Sequence, residues 1–315
     1  MALGVEFRSV TKVYPNGVPV VDRLSLEVEA GSILALVGPS GCGKTTSLKM
    51  INRLIEPSSG EILVNERAIK TVPLTELRRT IGYVIQYVGL FPHMTLEQNI
   101  AIVPRLLGWS REKISARVDE LLDLVGLPPE THRGRYPRTL SGGQQQRVGV
   151  ARALAADPPL LLMDEPFGAL DPITRIRMQD ELRTIQRRLR KTVVIVTHDM
   201  DEAIRLGDKV AILRAGRLVQ IDTPANILRH PADEFVADLL GYDRLIKLLS
   251  TLHVQAVMSR EPAPSGAGSI EANATLEQAL LRMLDSGQDA LAVGAGSLHL
   301  RDLLKVRGAG GETPS

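Results

Sequence analysis

The stretch "GPSGCGKTT", residues 38–46, decides how the rest of the chain is read. It fits the pattern G-x-x-x-x-G-K-[ST], with Gly38, Gly43, Lys44 and Thr45 at the defined positions and Gly41 inside the loop. Glycine carries no Cβ, so backbone N–H groups there can turn inward around an anion. Lys44 is then placed to reach the β- and γ-phosphates of a bound nucleotide, and the Thr45 hydroxyl to sit on Mg²⁺. Pro39, Ser40, Cys42 and Thr46 complete the same wrap; Cys42 needs no redox role, since a small side chain pointing away from the nucleotide suffices. The flanks agree. "SILALV" (32–37) reads as a buried strand, and "TTSLKMINRL" (45–54) as a helix that presents its N-terminus to the phosphates. A glycine-rich turn with no ligand does not explain that strand–loop–helix context.

The other parts such a loop needs lie further along the chain. "LLLMDE" ends an apolar strand at Asp164, where a carboxylate holds Mg²⁺, commonly through water. Glu165 follows at once, placed to polarise an attacking water. Alone, that acidic pair is more often a helix cap or a solvated loop; joined to the glycine loop it reads as catalytic. "VTHD" ends a third strand, "TVVIVT" (192–197), with His198. A lone histidine after a buried strand is commonly structural, but at the carboxyl edge of a parallel sheet it can hydrogen-bond the γ-phosphate. Gln86, in "GYVIQYVGLFP", follows another β-rich run; a neutral glutamine there suits Mg²⁺ or the attacking water, and in isolation reads as surface polar.

A second glycine cluster, "LSGGQQQR" (140–147), opens the helix "GQQQRVGVARALA". Ser141 can donate a hydroxyl, Gly142 and Gly143 permit close backbone approach, and Gln144 lies in the first turn, where free N–H groups carry partial positive charge. With no lysine this is half an anion site, and by itself it is a capped helix. It makes sense as a lid over the γ-phosphate of a nucleotide held by a second copy of the chain, so that a head-to-tail pair buries two nucleotides between subunits.

The chain has 315 residues, 44% of them hydrophobic, with 38 Lys+Arg against 36 Asp+Glu, which argues against a basic nucleic-acid footprint. A single cysteine fits a reducing cytosol, there is no signal-peptide pattern, and the apolar runs fall far short of the ~20 residues that span a bilayer. From 1 to about 240, β-rich runs alternate with helical patterns, as in an α/β domain. "SREKISARVDELLDLVG" is an amphipathic helix with Ser110 as N-cap, Ile114, Val118, Leu121, Leu122 and Val125 as its stripe, and Gly126 ending it. Asp171 and Pro172 read as N-cap and first residue of another helix, with Met178, Leu182, Ile185 and Leu189 inward. "KVAIL" with "RLVQI" is read as a hairpin. Beyond 240, "SREPAPSGAGS" (259–269) reads as a linker, "TLEQALLRMLDSG" as a helix, "DALAV" as a strand, "LHLRDLL" as the start of a further helix, and "GAGGETPS" as a frayed end.

Taken in order, these motifs resemble the ATP-binding subunits of ABC transporters over about residues 3–235. Ser141–Gln144 match the signature, Asp164 and Glu165 the Walker B pair, Gln86 the Q-loop, Asp171 in "GALD" the D-loop, and His198 the switch histidine. Tyr14 in "KVYPNG" is by itself a turn residue; the resemblance implies that it stacks on adenine. "LKMINRLIEPSSGEI", "IGYVIQYVGLFPHMTLEQNIA" and "LMDEPFGALDPITR" are similar to the ATPases of bacterial glycine betaine, carnitine and choline importers.

The resemblance implies a P-loop NTPase core over 1–240 with a helical subdomain at about 87–160. It also implies ATP as substrate, and Mg²⁺ shared by Thr45, Gln86 and Asp164. Glu165, His198, Gln86 and Lys44 would carry the catalysis. The partners implied are a second copy, membrane permease subunits contacted through the Q-loop and 87–110, and an external solute-binding protein, with the chain peripheral on the cytoplasmic face of the inner membrane. Residues 241–315 resemble a linker and one truncated CBS-like module, either pairing across the dimer or only supporting dimer contacts. An importer of another small solute stays open at this point. A soluble ABC protein acting on nucleic acid would bring long coiled-coil insertions, duplicated cassettes or a basic arm, none of which is seen. Intact Glu165 and His198 argue against a sensor that hardly hydrolyses.

Overall fold

The computed structural model describes residues 4–15, 17–85, 89–168, 170–241 and 244–305. Its residues group into two units, Met1–Ile221 and Asp222–Ser315.

In the first unit, alternation of apolar and polar residues makes β1 (Val5–Val13) and β2 (Pro19–Val28) one-sided strands, with Val5, Phe7, Val10, Val21, Leu24 and Val28 turned into the core. β3 (Ile33–Val37) has no polar residue, is buried throughout and leaves for a second sheet. β1 pairs antiparallel with β2 on one edge and with β4 (Ser59–Val64) on the other, and the short β5 (Arg67–Ala68) completes the order β2-β1-β4-β5.

The second sheet adds β6 (Ile81–Val84), β7 (Leu160–Asp164), β8 (Thr192–Val196), β9 (Lys209–Arg214) and β10 (Arg217–Asp222), in the order β10-β9-β3-β8-β7-β6. The pairs β9/β3, β3/β8, β8/β7 and β7/β6 are all parallel. β3, β7 and β8 are buried along their whole length, as strands covered on both faces are. Ala215 and Gly216, at φ 47° and 81°, make the two-residue turn of the expected β9–β10 hairpin. The consequence that matters is positional. Because β8 lies between β3 and β7, the chain leaves all three strands along one carboxyl edge.

The helix after β3, α1 (Lys44–Ile51), is shorter than its sequence pattern, which runs on to Leu54. Asn52 leaves the helix and Arg53 takes a left-handed φ of 52°, which lets its guanidinium donate to the carbonyls of Ile69 (3.1 Å) and Val72 (3.0 Å). Tertiary hydrogen bonds override helix propensity there. α2 (Leu74–Arg79) leads into β6. Between β6 and β7 come α3 (Leu96–Leu106), α4 (Arg111–Leu124), α5 (Pro129–His132) and α6 (Gly142–Leu154). Ser110 caps α4, and Ile114, Val118, Leu121, Leu122 and Val125 are its buried stripe, as the periodicity predicts. Arg133 joins this group, pairing with Glu97 of α3 (2.9 Å) and Asp119 of α4 (3.0 Å). α7 (Pro172–Leu189) buries Met178, Leu182 and Ile185, with Leu189 half-buried, and α8 (Met200–Leu206) follows β8.

The second unit holds α9 (Pro224–Arg229), α10 (Glu234–Leu240) and α11 (Arg244–Thr251), then β11 (Gly268–Ser269), α12 (Leu276–Ser286), β12 (Ala290–Val293), β13 (Gly296–His299) and α13 (Leu300–Lys305). Two readings change here. Gly268 and Ser269, expected as linker, pair parallel with β12, because the Gln288 amide accepts from Gly268 N (2.7 Å) and donates to the Gly266 carbonyl (2.9 Å). Leu298 and His299, expected as helix, end β13 and pair with Leu291 and Ala290; the helix starts at Leu300, where the Asp302 carboxylate accepts from His299 N. The expected frayed end, 308–315, lies outside the described residues. No helix among the described residues is long and apolar enough to cross a membrane.

Candidate functional site

The loop that follows β3 is held by backbone approach that tolerates no side chain at two points. A Cβ on Gly38 would meet the Leu213 carbonyl oxygen at 2.2 Å, and one on Gly43 the Val20 carbonyl oxygen at 2.5 Å. Both glycines have positive φ, 152° and 101°. Lys44 is only 6% exposed and folds back over the loop, its Nζ donating to the carbonyls of Gly38 (2.7 Å) and Pro39 (2.9 Å). Cys42 is buried in the core cluster, with Sγ 3.8 Å from Lys44 Nζ; burial pushes its thiol pKa up. The ammonium therefore sits inside the ring of loop residues, where an incoming phosphate finds a positive charge already in place.

Thr45 Oγ1 donates to Asp164 Oδ1 at 2.8 Å, which links the first turn of α1 to the end of β7. Asp164 is 4% exposed, and burial pushes its carboxyl upward against the opposing effect of the Thr45 hydrogen bond. Tyr83, on β6, is driven well above the usual phenol range by burial first and the Asp164 charge second. Glu165 follows with φ 44°, a left-handed conformation that costs a non-glycine residue of order 1 kcal/mol or more. Its N–H donates to the Val196 carbonyl at 2.9 Å, so the strained turn is tied to β8. His198, just past β8, brings Nδ1 to 3.4 Å from Glu165 Oε2, and its side chain is 59% exposed. The parallel order β3-β8-β7 thus brings together Lys44, Thr45, Asp164, Glu165 and His198.

The Ser141 cluster is built as a capping box. Ser141 Oγ accepts from Gln144 N (3.3 Å), and Ser141 N donates to Gln144 Oε1 (3.1 Å). That bond uses a lone pair and leaves the hydroxyl proton to donate elsewhere. Gly142 is open, with nothing within 4 Å of the point where a Cβ would stand, whereas a Cβ on Gly143 would lie 2.9 Å from Thr174 Cγ2. Thr174 N in turn donates to Asp171 Oδ1 (3.0 Å), so Asp171 caps α7, and hydrogen bonding from the Thr174 side chain first and its backbone second holds the carboxyl below the usual range. Tyr14 stands beyond the end of β1, with the Lys12 ammonium 5.2 Å from its ring centroid and its carbonyl accepting from Gly17 N. Gln86 lies outside the described residues.

Two charged residues that sequence reasoning passed over also stand at this edge. Arg175 of α7 pairs with Asp199 (3.4 Å), and Glu202 of α8 is buried, its carboxyl pKa raised to about 8 by burial and the nearby Asp199 and Glu165 charges. The available signal was "HDMDE", in which Glu202 falls in the first turn of the helix that opens just after His198.

Comparison with known proteins bears on this edge. The family model described as ABC transporter matches residues 21–168. The glycine betaine/carnitine/choline transport ATP-binding protein OpuCA of Bacillus subtilis is 53% identical over 290 residues, covering 92% of this chain and 75% of that protein. The glycine betaine uptake system ATP-binding protein YehX of Escherichia coli is 48% identical over 307 residues, covering 95% of this chain and 99% of that protein. Among solved structures, the dimeric post-hydrolysis state of the ATP-binding cassette MJ0796, bound to ADP and Pi, superposes with a TM-score of 0.63 at 33% identity, covering 70% of this chain and 98% of that one.

Proposed function

The chain belongs to the ATP-binding proteins of ABC transporters, and from that premise we propose that it hydrolyses ATP to power import of a glycine betaine, choline or carnitine type of solute through a partner permease. The observation that carries the chemistry is the 2.8 Å hydrogen bond from Thr45 to Asp164, which joins the lysine loop to the acidic strand end beside the Glu165–His198 contact.

Lys44 leaves the Gly38 and Pro39 carbonyls for the β- and γ-phosphates, and the loop N–H groups and the α1 N-terminus add their partial charges. The Thr45 hydroxyl and the Asp164 carboxylate, two hard oxygen donors already in contact, suit Mg²⁺, which is bound through one or two carboxylates plus substrate phosphates. Gln86 is proposed as a third contributor. Mg²⁺ would supply neutralisation of charge on the phosphate oxygens. Glu165, held by its strained turn, accepts the proton of the attacking water, and His198 donates toward the γ-phosphate as charge develops there. Tyr14 is proposed to stack on the base.

The capping-box geometry leaves the Ser141 proton and the open face of Gly142 available to a nucleotide held by a second copy, with Asp171 near the same seam. The MJ0796 cassette is dimeric with ADP and Pi bound, which supports the pairing of two copies. Phe91 and Leu106, 44% and 75% exposed, offer apolar contacts to a permease from the region that follows Gln86, and the chain is proposed to work on the cytoplasmic face of the membrane. The permease would in turn receive solute from an external binding protein, and nucleic acid plays no part. The 1–240 and 241–315 division into ATPase and CBS-like tail is proposed in the same way.

Uptake of labelled glycine betaine tests the reading. In cells lacking their own osmoprotectant ATPase but holding the cognate permease and binding protein, the wild-type chain restores uptake and Lys44→Ala does not. Equal uptake with both chains, or none with either, contradicts it.

A further inference from the structure

We propose that Glu202 is a positioning residue of the hydrolytic site: the proton of its carboxylic acid, donated across a shared recess, sets the arrangement of Glu165 and His198, and loss of that proton ends turnover. The proposal rests on the reading of Glu165 and His198 as the hydrolytic pair.

The recess is partly enclosed and lined by Glu165, Gly168, Arg175, His198 and Glu202, among others. Glu202 is 5% exposed, and its Oε1 has no hydrogen-bond partner among the described residues. Buried polar atoms without partners are rare in folded proteins, and each calls for a reason.

The local sequence offers a structural reason that the geometry refuses. "DMDE" (199–202) has the spacing of a capping box, in which the glutamate reaches back to the N-cap N–H. Here Asp199 does cap α8, accepting from Asp201 N (2.9 Å) and Glu202 N (3.2 Å). Its own N–H, however, donates to Thr197 Oγ1 at 3.0 Å. The Thr197 hydroxyl keeps its proton for the Glu202 carboxyl. Glu202 is thus released from capping and its second oxygen is left to the recess.

The charges around it decide its protonation. From α7 comes Arg175, already paired with Asp199 at 3.4 Å. From the turn after β7 comes the Glu165 carboxylate, and from the loop after β8 come His198 and Asp199. β3, packed on the other side of α8, presents only apolar residues. An ionised Glu202 would compete with Asp199 for one engaged arginine and add a negative charge near the Glu165 carboxylate, in a buried place. The acid form is therefore the resting one, and it ionises as pH passes about 8. As a neutral acid it is a donor, and the acceptors lining the recess with it include the Glu165 carboxylate. Once ionised it adds negative charge beside the place where the γ-phosphate is attacked.

The folded-state pKa is raised above the unfolded value, so the contribution of the neutral form is complete below the ordinary carboxylate range and is lost as pH rises to about 8.

The test compares the pH profile of steady-state ATP hydrolysis for the full chain and for Glu202→Gln, Glu202→Asp and Glu202→Ala, with thermal unfolding at each pH. Wild-type kcat falls as pH rises through about 8. Glu202→Gln, which keeps a donor and cannot ionise, loses that alkaline fall, and its melting temperature gains on wild type as pH increases. Glu202→Ala lowers kcat about tenfold or more with KM for ATP unchanged, and Glu202→Asp, one methylene short, lies between. An alkaline limb unmoved by Glu202→Gln, or a Gln variant as slow as the Ala variant at pH 7, overturns the proposal. A wild-type chain with no ATPase activity would instead defeat the functional reading. The unfolding series then still reports whether Glu202 ionises near the stated pH.

Discussion

The Thr45 hydroxyl donates a hydrogen bond to a carboxylate that is almost wholly buried. Thr45→Val keeps the shape and removes the donor, so Asp164 is left desolvated without it. The free protein should lose about 1–3 kcal/mol in urea unfolding, and nucleotide affinity should no longer respond to added Mg²⁺. The two glycines of the second cluster separate fold from function more cleanly. Gly142 has open space, so Gly142→Ala should change stability by less than about 0.5 kcal/mol. Its ATPase rate should nevertheless fall, because the methyl would project from the helix tip into the seam with the second copy. Gly143→Ala meets Thr174 within the same chain and should disturb both. Full turnover in Gly142→Ala would remove the helix tip from the mechanism.

Among the elements, α3 and α6 hold the segment that leaves the Q-loop. Asn99, fully buried on α3, accepts from Phe91 N (2.8 Å) and donates Nδ2 to the carbonyls of Phe91, Met94 and Thr95. Arg152, near the end of the signature helix α6, donates to the Gly89 carbonyl at 2.6 Å. Asn99→Ala leaves several buried backbone groups unpaired and should cost about 2 kcal/mol or more, with faster amide exchange concentrated at 91–95. Exchange unchanged there would show that the clamp is not what orders the segment. These contacts also mark where sequence reading stops. The loop at 38–46, the acidic end of β7 and the cap at Ser141 were legible because each is a local pattern with one physical solution. The early end of α1 was not, since it depends on Arg53 reaching carbonyls at 69 and 72. Nor was β11, which depends on Gln288, far along the chain beyond α12. Glu202 was hidden for the opposite reason: its spacing imitates a capping box, and only the choice made by the Asp199 N–H shows that the box is not closed.

For the whole molecule, the parallel order β3-β8-β7 assembles one face of the proposed nucleotide site, with cation, hard oxygens, acid and histidine along one edge. The Ser141 tip is a second face with its hydroxyl proton to spare and no lysine of its own. Under the proposed function, two copies placed head to tail would satisfy both faces at once, and hydrolysis would then couple to their separation. Sedimentation of Glu165→Gln with ATP and Mg²⁺ tests this most directly, because removing the base leaves binding intact and stops the reaction that releases the pair. The account predicts a stable dimer with ATP that reverts to monomer with ADP; a Glu165→Gln protein that binds ATP and stays monomeric at every concentration would contradict it.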